Sequence, residues 1–204
     1  MAVLTISRQF GTGGLTLGER LSRRLGYRCV HEGMIRQVAK KVRASSQQVR
    51  AFEKAGGTKL MKFLDKMVSR DFIDRLISDK YGYVGEKDYV DVARDLIEEL
   101  YEKGNAVIIG RGGQYILKDH DNTWHILLVA NQENRVRFIM DNYNLRESEA
   151  EKAIRRADQI RNSFLGVFAD KESHDDPLSY DLVINMNRVS MDKAEELIMG
   201  LTNQ

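Results

Sequence analysis

The sequence predicts an α/β fold built on a mainly parallel sheet with helices on both faces. Short β-branched runs recur from end to end with helical patterns between them, and strands that alternate with helices must cross over to pair in parallel. The first apolar run ends in a glycine-rich turn that leads directly into an amphipathic segment, which reads as a strand, loop and helix unit. The chain has 204 residues, 42% of them hydrophobic, enough for one sizeable core. A single proline, Pro177, and the lack of any Ser/Gly-rich tract leave no linker at which to divide it. It is therefore read as one domain over residues 1–204, with helical insertions.

Residues 2–7 are apolar at nearly every position and form the first expected strand. Over 15–25, Leu15, Leu17, Leu21 and Leu25 recur at near-helical spacing, Arg20, Arg23 and Arg24 lie elsewhere on the cylinder, and Gly26 follows as a stop. Further strands are expected at 28–30, 106–109, 124–129 and 182–185, and further helices at 34–42, 89–102, 133–143 and 191–201. Two stretches break the alternation. Residues 43–88 are charged, helix-prone and strand-poor around Gly56 and Gly57, and read as a helical insertion. Its apolar positions, among them Leu60, Met61, Phe63, Leu64 and Met67, suit an acceptor pocket and a homodimer interface equally. Residues 145–175 read as a second insertion, with Ser148 and Glu151 at capping-box spacing ahead of Arg155, Arg156 and Arg161.

Composition excludes several function classes. Lys and Arg total 32 against 30 Asp and Glu, a formal net charge of +2, which argues against a chain that coats nucleic acid. Tyr27, Phe72, Tyr81, Tyr83, Tyr101 and Trp124 are scattered instead of interleaved with Lys and Arg, so no nucleic-acid stacking platform is expected. The lone Cys29 allows no internal disulfide and no thiolate cluster, and His31, His120, His125 and His174 show no paired-ligand spacing; a zinc enzyme is not expected. No window approaches the roughly 18 uncharged apolar residues of a membrane span, and the first residues carry no long apolar run. A cytoplasmic protein with no membrane partner is expected.

The strongest chemical signal is S-R-Q-F-G-T-G-G-L-T-L-G from Ser7 to Gly18. Glycines let the backbone turn sharply and bring several N–H groups onto one anion, and the helix start that follows adds partial positive charge. The ligand this predicts is phosphate; an ordinary strand-to-helix turn is the bland alternative. A dinucleotide fingerprint fails because Thr16 stands at its third glycine position. Arg111 follows the apolar run 106–109 after Gly110 alone, at the strand end where parallel sheets place ligands, so a phosphate or acceptor role stands beside a structural ion pair.

These residues resemble a known family. The stretch I-S-R-Q-F-G-T-G-G-L-T-L-G-E-R-L looks like the P-loop of the cytidylate kinase-like family, whose loop reads S-R-Q-F/Y-G-x-G-G. The likeness extends through L-G-Y-R-C-V-H-E-G-M-I at 25–35, V-I-I-G-R-G at 107–112, A-N-Q-E-N-R-V-R at 130–137 and D-P-L-S-Y-D-L-V-I-N at 176–185. It implies a three-layer P-loop fold of nucleoside monophosphate kinase type, with an acceptor-side insertion and a lid. It also implies ATP and Mg2+ as donor and cofactor, and a nucleoside monophosphate or other small molecule as acceptor.

Carried over residue by residue, the resemblance sets Gly14 where cytidylate kinases proper have their characteristic Lys, which the cytidylate kinase-like loop also lacks, with Leu15 and Thr16 on the next two positions. Gly11, Thr12, Gly13, Gly14, Leu15 and Thr16 become the expected nucleotide-binding residues. The missing ammonium normally neutralises charge on the transferring phosphates. Arg8 is the candidate replacement, since a guanidinium grips phosphate through two prongs; a surface ion pair is the equal alternative. By resemblance Gly33, Gly110 and Arg111 face the acceptor, and Arg156 and Arg161 close from the lid with Arg8 as the catalytic set, a plain charged helix being the alternative for the lid arginines. Arg36 and Gln37, one turn into the following helix, are placed equally to reach an anionic acceptor or to form a solvated face. Arg135 and Arg137 are weaker choices near the lid base. Asp158, three residues before Arg161, is expected to hold Arg161 or to orient metal-bound water. Gly112 replaces the Asp with which those kinases read cytosine, and the turn His31-Glu32-Gly33-Met34 keeps only its glycine. The expected function is ATP-dependent phosphoryl transfer, with a nucleotide-binding sensor or partner module as the alternative that the loss of the Lys favours.

Overall fold

The computed structural model describes residues 2–35, 86–168 and 174–202. Five strands form one parallel sheet: β1 (Val3–Arg8), β2 (Arg28–His31), β3 (Ala106–Ile109), β4 (Thr123–Val129) and β5 (Leu182–Asn185), in the order β2-β3-β1-β4-β5. β1 lies at the centre, with Ile6 opposite Ile109 of β3 and Ile126 of β4. The helices are α1 (Gly14–Leu25), α2 (Glu86–Lys103), α3 (Gly113–Ile116), α4 (Gln132–Tyr143), α5 (Glu147–Leu165) and α6 (Met191–Thr202). No helix among the described residues is long and apolar enough to cross a membrane.

The period of the strands divides the core. On one face of β1, Leu4 and Ile6 join Leu17 and Leu21 of α1 and Ala194 and Ile198 of α6. On the other, Val3 joins Ala93 and Ile97 of α2 and Phe164 and Leu165 of α5. The result is three layers, with every strand side chain of β3 buried, as expected of a sheet covered on both faces. Each fully buried Leu or Ile contributes roughly 1.5–3 kcal/mol. α1 ends as the sequence expects, with Gly26 at φ 69° and its N–H bonded to the Ser22 carbonyl.

The five strands lie within a residue or so of their expected ranges, and the α/β expectation holds. Three details differ or lie outside the structure. The described part of the helix expected at 34–42 begins earlier, at Glu32, and residues 36–85, which carry Arg36 and nearly all of the 43–88 insertion, lie outside the described residues. The 145–175 stretch holds a 19-residue helix that opens at Glu147, one residue before Ser148. Arg146 is its N-cap residue, and the Glu149 carboxylate accepts the Arg146 N–H at 3.0 Å. Ser148 and Glu151 therefore both fall inside the helix. The four-residue α3 was not expected, because its N-cap Gly112 is in the left-handed region at φ 71° and its sequence is too short to show a period.

α4 and α5 form a separate small core of Val136, Ile139, Ala150, Ala153, Ile154 and Ala157, into which Phe10 from the glycine-rich turn packs. The turn is thus anchored to the α4–α5 pair by its own aromatic residue.

Candidate functional site

The parallel sheet directs the C-terminal ends of β1, β2 and β3 to one edge, where α/β sheets bind ligands. At that edge β1 passes through Gln9 to Gly13 into α1. Gly11 at φ 91° and Gly13 at φ 77° take left-handed turns that a side chain would strain. A Cβ on Gly11 would stand 2.9 Å from the Arg135 carbonyl oxygen, and one on Gly13 would stand 2.6 Å from Met191 Cε. The loop is tied at its base, since the Gln9 N–H donates to the Leu128 carbonyl at 3.1 Å and the Thr12 hydroxyl donates to the Gln9 carbonyl at 2.8 Å. Among the described residues no acceptor meets the N–H groups of Gly11, Thr12, Gly13, Gly14, Leu15 or Thr16. A run of such donors at a helix start is a concave anion site.

Arg8 reaches into this edge. Its stem lies against Gly14, so that a Cβ there would stand 2.9 Å from Arg8 Cγ, and its guanidinium lies over Gly110, where a Cβ would stand 2.9 Å from Arg8 Cζ. The side chain thus runs from the loop on β1 across to the end of β3. It also lowers the pKa of His31, at the end of β2, with burial the larger cause. The Gly33 N–H donates to His31 Nδ1 at 3.2 Å, which leaves the proton of the neutral ring on Nε2.

Arg111 occupies the end of β3 in a left-handed conformation, φ 59°, between Gly110 at 76° and Gly112 at 71°. Three consecutive left-handed residues turn the chain back under the sheet edge and bury the guanidinium. Its Nη2 is in direct ionic contact with Glu32 Oε2, the two side chains being only 7% and 9% exposed. The Phe164 ring covers the guanidinium at 4.7 Å from Cζ.

The arginines of α5 divide. Arg161 reaches the sheet edge, where Nη2 donates to Asp175 Oδ1 at 2.6 Å and to the Ser7 hydroxyl at 3.2 Å; the side chain is 14% exposed. Asp175 also accepts from Gln9 Nε2 at 2.9 Å, while Gln9 Oε1 accepts the Ala130 N–H at 3.1 Å. Arg156 is half-buried on α5. Asp158 does not hold Arg161: both its oxygens accept from Arg135 Nη2, at 2.7 and 2.6 Å, and Arg135 Nε donates to the Phe10 carbonyl at 2.6 Å. Arg135 is 10% exposed and lies directly beneath Gly11.

The structure thus brings Arg8, Gly11 to Thr16, Gly33, Gly110, Arg111 and Arg161 to one sheet edge. Leu15 is half-buried and Thr16 exposed at the start of α1. Arg36 lies outside the described residues. Sequence reasoning ranked Arg135 low and gave no part to Gln9, Glu32 or Asp175. Gln9 and Glu32 lie within the quoted motifs, but nothing in their spacing reveals partners on α5 or β3. Among the described residues no group of three or more His, Cys, Asp or Glu could hold a metal.

Comparison with known proteins agrees with this architecture. A model of the cytidylate kinase-like family matches residues 3–188. An uncharacterized protein from Eubacterium ventriosum superposes with a TM-score of 0.71 at 16% identity, over 100% of this chain and 99% of the other. Shikimate kinase from Bacteroides thetaiotaomicron gives 0.53 at 14% identity, over 100% and 99%. Shikimate kinase from Acinetobacter baumannii, solved in complex with shikimate, gives 0.50 at 15% identity, over 98% and 92%. At these identities the likeness is one of fold. None of the curated proteins matches the sequence.

Proposed function

This chain belongs to the cytidylate kinase-like family, and from that premise we propose that it is an ATP-dependent phosphotransferase acting on a small acceptor, with Arg8 in the role of the absent loop Lys. The observation that carries the reading is the path of Arg8, from Gly14 at the loop to Gly110 at the end of β3. A fixed cation there lies between the donor cradle and the acceptor strands.

The chemistry is positioning and charge stabilisation, with no covalent intermediate on the protein. The N–H groups of Gly11 to Thr16 bind the β and γ phosphates. An acceptor oxygen forms its bond to the γ phosphorus as the bond from that phosphorus to the β–γ bridging oxygen breaks. The electron pair leaves with the nucleoside diphosphate, and a proton on the acceptor oxygen is released to solvent. Arg8 faces the charge that spreads over the transferring group, and Arg156 and Arg161 approach from α5. The ends of β2 and β3, with Gly33, Gly110 and Arg111, border the acceptor.

The residues present fit a metal carried by the donor better than one held by the chain. Thr16 offers an exposed hydroxyl beside the cradle, whereas Asp158 and Asp175 are engaged by Arg135, Arg161 and Gln9. Mg2+ bound to the nucleotide supplies charge neutralisation on the phosphate oxygens. The test is to incubate the protein with ATP and Mg2+, alone and with a panel of nucleoside monophosphates and small alcohols, and to separate the products by chromatography. Phosphorylated acceptor with matching diphosphate supports the reading. ATP binding without any phosphorylated product or diphosphate favours a sensor.

A further inference from the structure

The acceptor end of the site carries a buried charge pair where a phosphate-bearing acceptor needs an unspent cation. Arg111 sits at the end of β3, where such a cation belongs, but its Nη2 is in direct contact with the Glu32 carboxylate and its flat face is covered by Phe164. Both charges are almost wholly removed from solvent, so the pair is poorly screened and each partner depends on the other. The neighbouring His31 is kept neutral by burial and by Arg8. Arg8 itself extends from the donor loop to Gly110. Among the described residues, the ends of β2 and β3 thus add no net charge beyond Arg8. A phosphate dianion arriving there would have to displace a buried carboxylate or lie against it, and like charges at a desolvated contact are strongly disfavoured.

We propose that Glu32 sets acceptor specificity: by neutralising Arg111 it closes the ends of β2 and β3 to phosphate-bearing acceptors. The acceptor is then a small molecule that presents a hydroxyl and no phosphate to that end. This rests on the phosphotransferase reading given above and names its substrate class. The His31 ring, with Nδ1 taken by the Gly33 N–H, offers an Nε2–H suited to a hydroxyl oxygen. The position of Glu32 one residue beyond β2 and of Arg111 two residues beyond β3 makes the pair a direct consequence of β2 lying beside β3.

The experiment measures binding of CMP, UMP, AMP and GMP to the full chain by calorimetry, with a non-hydrolysable ATP analogue present, and phosphoryl transfer to each with ATP. The wild-type protein, Glu32→Gln and Glu32→Gln with Arg111→Gln are compared. The wild type is expected to bind the ATP analogue and to neither bind nor phosphorylate the monophosphates. Glu32→Gln is expected to gain about tenfold or more in monophosphate affinity, because the Glu32 charge beside Arg111 is removed, and the double variant is expected to lose that gain. Transfer to any monophosphate by the wild type overturns the proposal, as does a folded Glu32→Gln that gains nothing. If Glu32→Gln does not fold, the wild-type measurement decides. Failure of the ATP analogue to bind at all marks failure of the phosphotransferase reading itself, and the Glu32→Gln comparison with CMP alone then judges the charge argument.

Discussion

Arg8 and Gly14 contend for one volume. A Cβ on Gly14 would stand 2.9 Å from Arg8 Cγ and 3.2 Å from Arg8 Cβ, so a Lys at this position cannot coexist with Arg8 as it lies here. The absence of the Lys and the inward path of the Arg are two sides of one packing arrangement. Gly14→Lys in the presence of Arg8 is therefore expected to destabilise the protein by about 1–3 kcal/mol through overpacking. Adding Arg8→Ala opens the space, and urea unfolding is expected to show the double variant more stable than Gly14→Lys alone. Nucleotide affinity measured beside it is expected to return with the new ammonium.

Arg135 supports the loop from below, and its loss separates two effects. Arg135→Met leaves Asp158 without its guanidinium and the Phe10 carbonyl without its donor. Because Asp158 is 34% exposed, solvent compensates in part, and a loss of about 1–3 kcal/mol is expected. Denaturant titration reads that loss. ATP affinity is expected to fall as well, since the Arg135 guanidinium holds the Phe10 carbonyl next to Gly11.

Gly11→Ala tests the loop backbone directly. The residue sits at φ 91° with the Arg135 carbonyl 2.9 Å from the position of a new Cβ. Strain and collision act together, with an expected cost of about 1–3 kcal/mol. Thermal unfolding with and without ATP is expected to show a lower midpoint and a smaller ligand-induced rise than in the wild type.

Acid is expected to destabilise this fold through two histidines held below their usual pKa. Burial is the first cause that lowers the pKa of His31 and of His125 from 6.5. Between each lowered value and 6.5 the unfolded chain binds more protons than the native one, so stability rises with pH across that window and is lost as pH falls through it. Thermal midpoints are expected to decline from about pH 7 toward pH 5. His31→Gln and His125→Gln are each expected to flatten part of that slope. His125 Nδ1 lies 2.7 Å from the Thr5 hydroxyl, a contact that Gln is able to replace.

The strands were legible because an apolar, β-branched run in a fully covered sheet leaves an unbroken signal; 106–109 and 182–185 match the observed β3 and β5. The glycine-rich turn was legible for a similar local reason, as its donors belong to consecutive residues. What could not be read was pairing between elements. Asp158 and Arg161 share a helix at i, i+3 spacing, which made a local ion pair the natural expectation, yet Asp158 turns to Arg135 on α4 and Arg161 to Asp175 beyond the end of α5. Arg111 was legible as a residue at a strand end, but the carboxylate that neutralises it is 79 positions earlier in the chain, at the end of a strand that only the sheet order makes its neighbour. The helix start at Arg146 escaped notice because Arg is not a residue that caps through its own side chain, and the Glu149 carboxylate supplies the bond.

The most direct test of the account is calorimetric titration of the wild-type protein and of Arg8→Met with ATP and Mg2+. The methionine keeps much of the stem against Gly14 and removes the charge. The account predicts that the wild type binds and that Arg8→Met, still folded by circular dichroism, binds weaker by about 10- to 100-fold, the loss of one charge-assisted phosphate contact. Equal affinity in the two proteins, or no binding by the wild type, would contradict it.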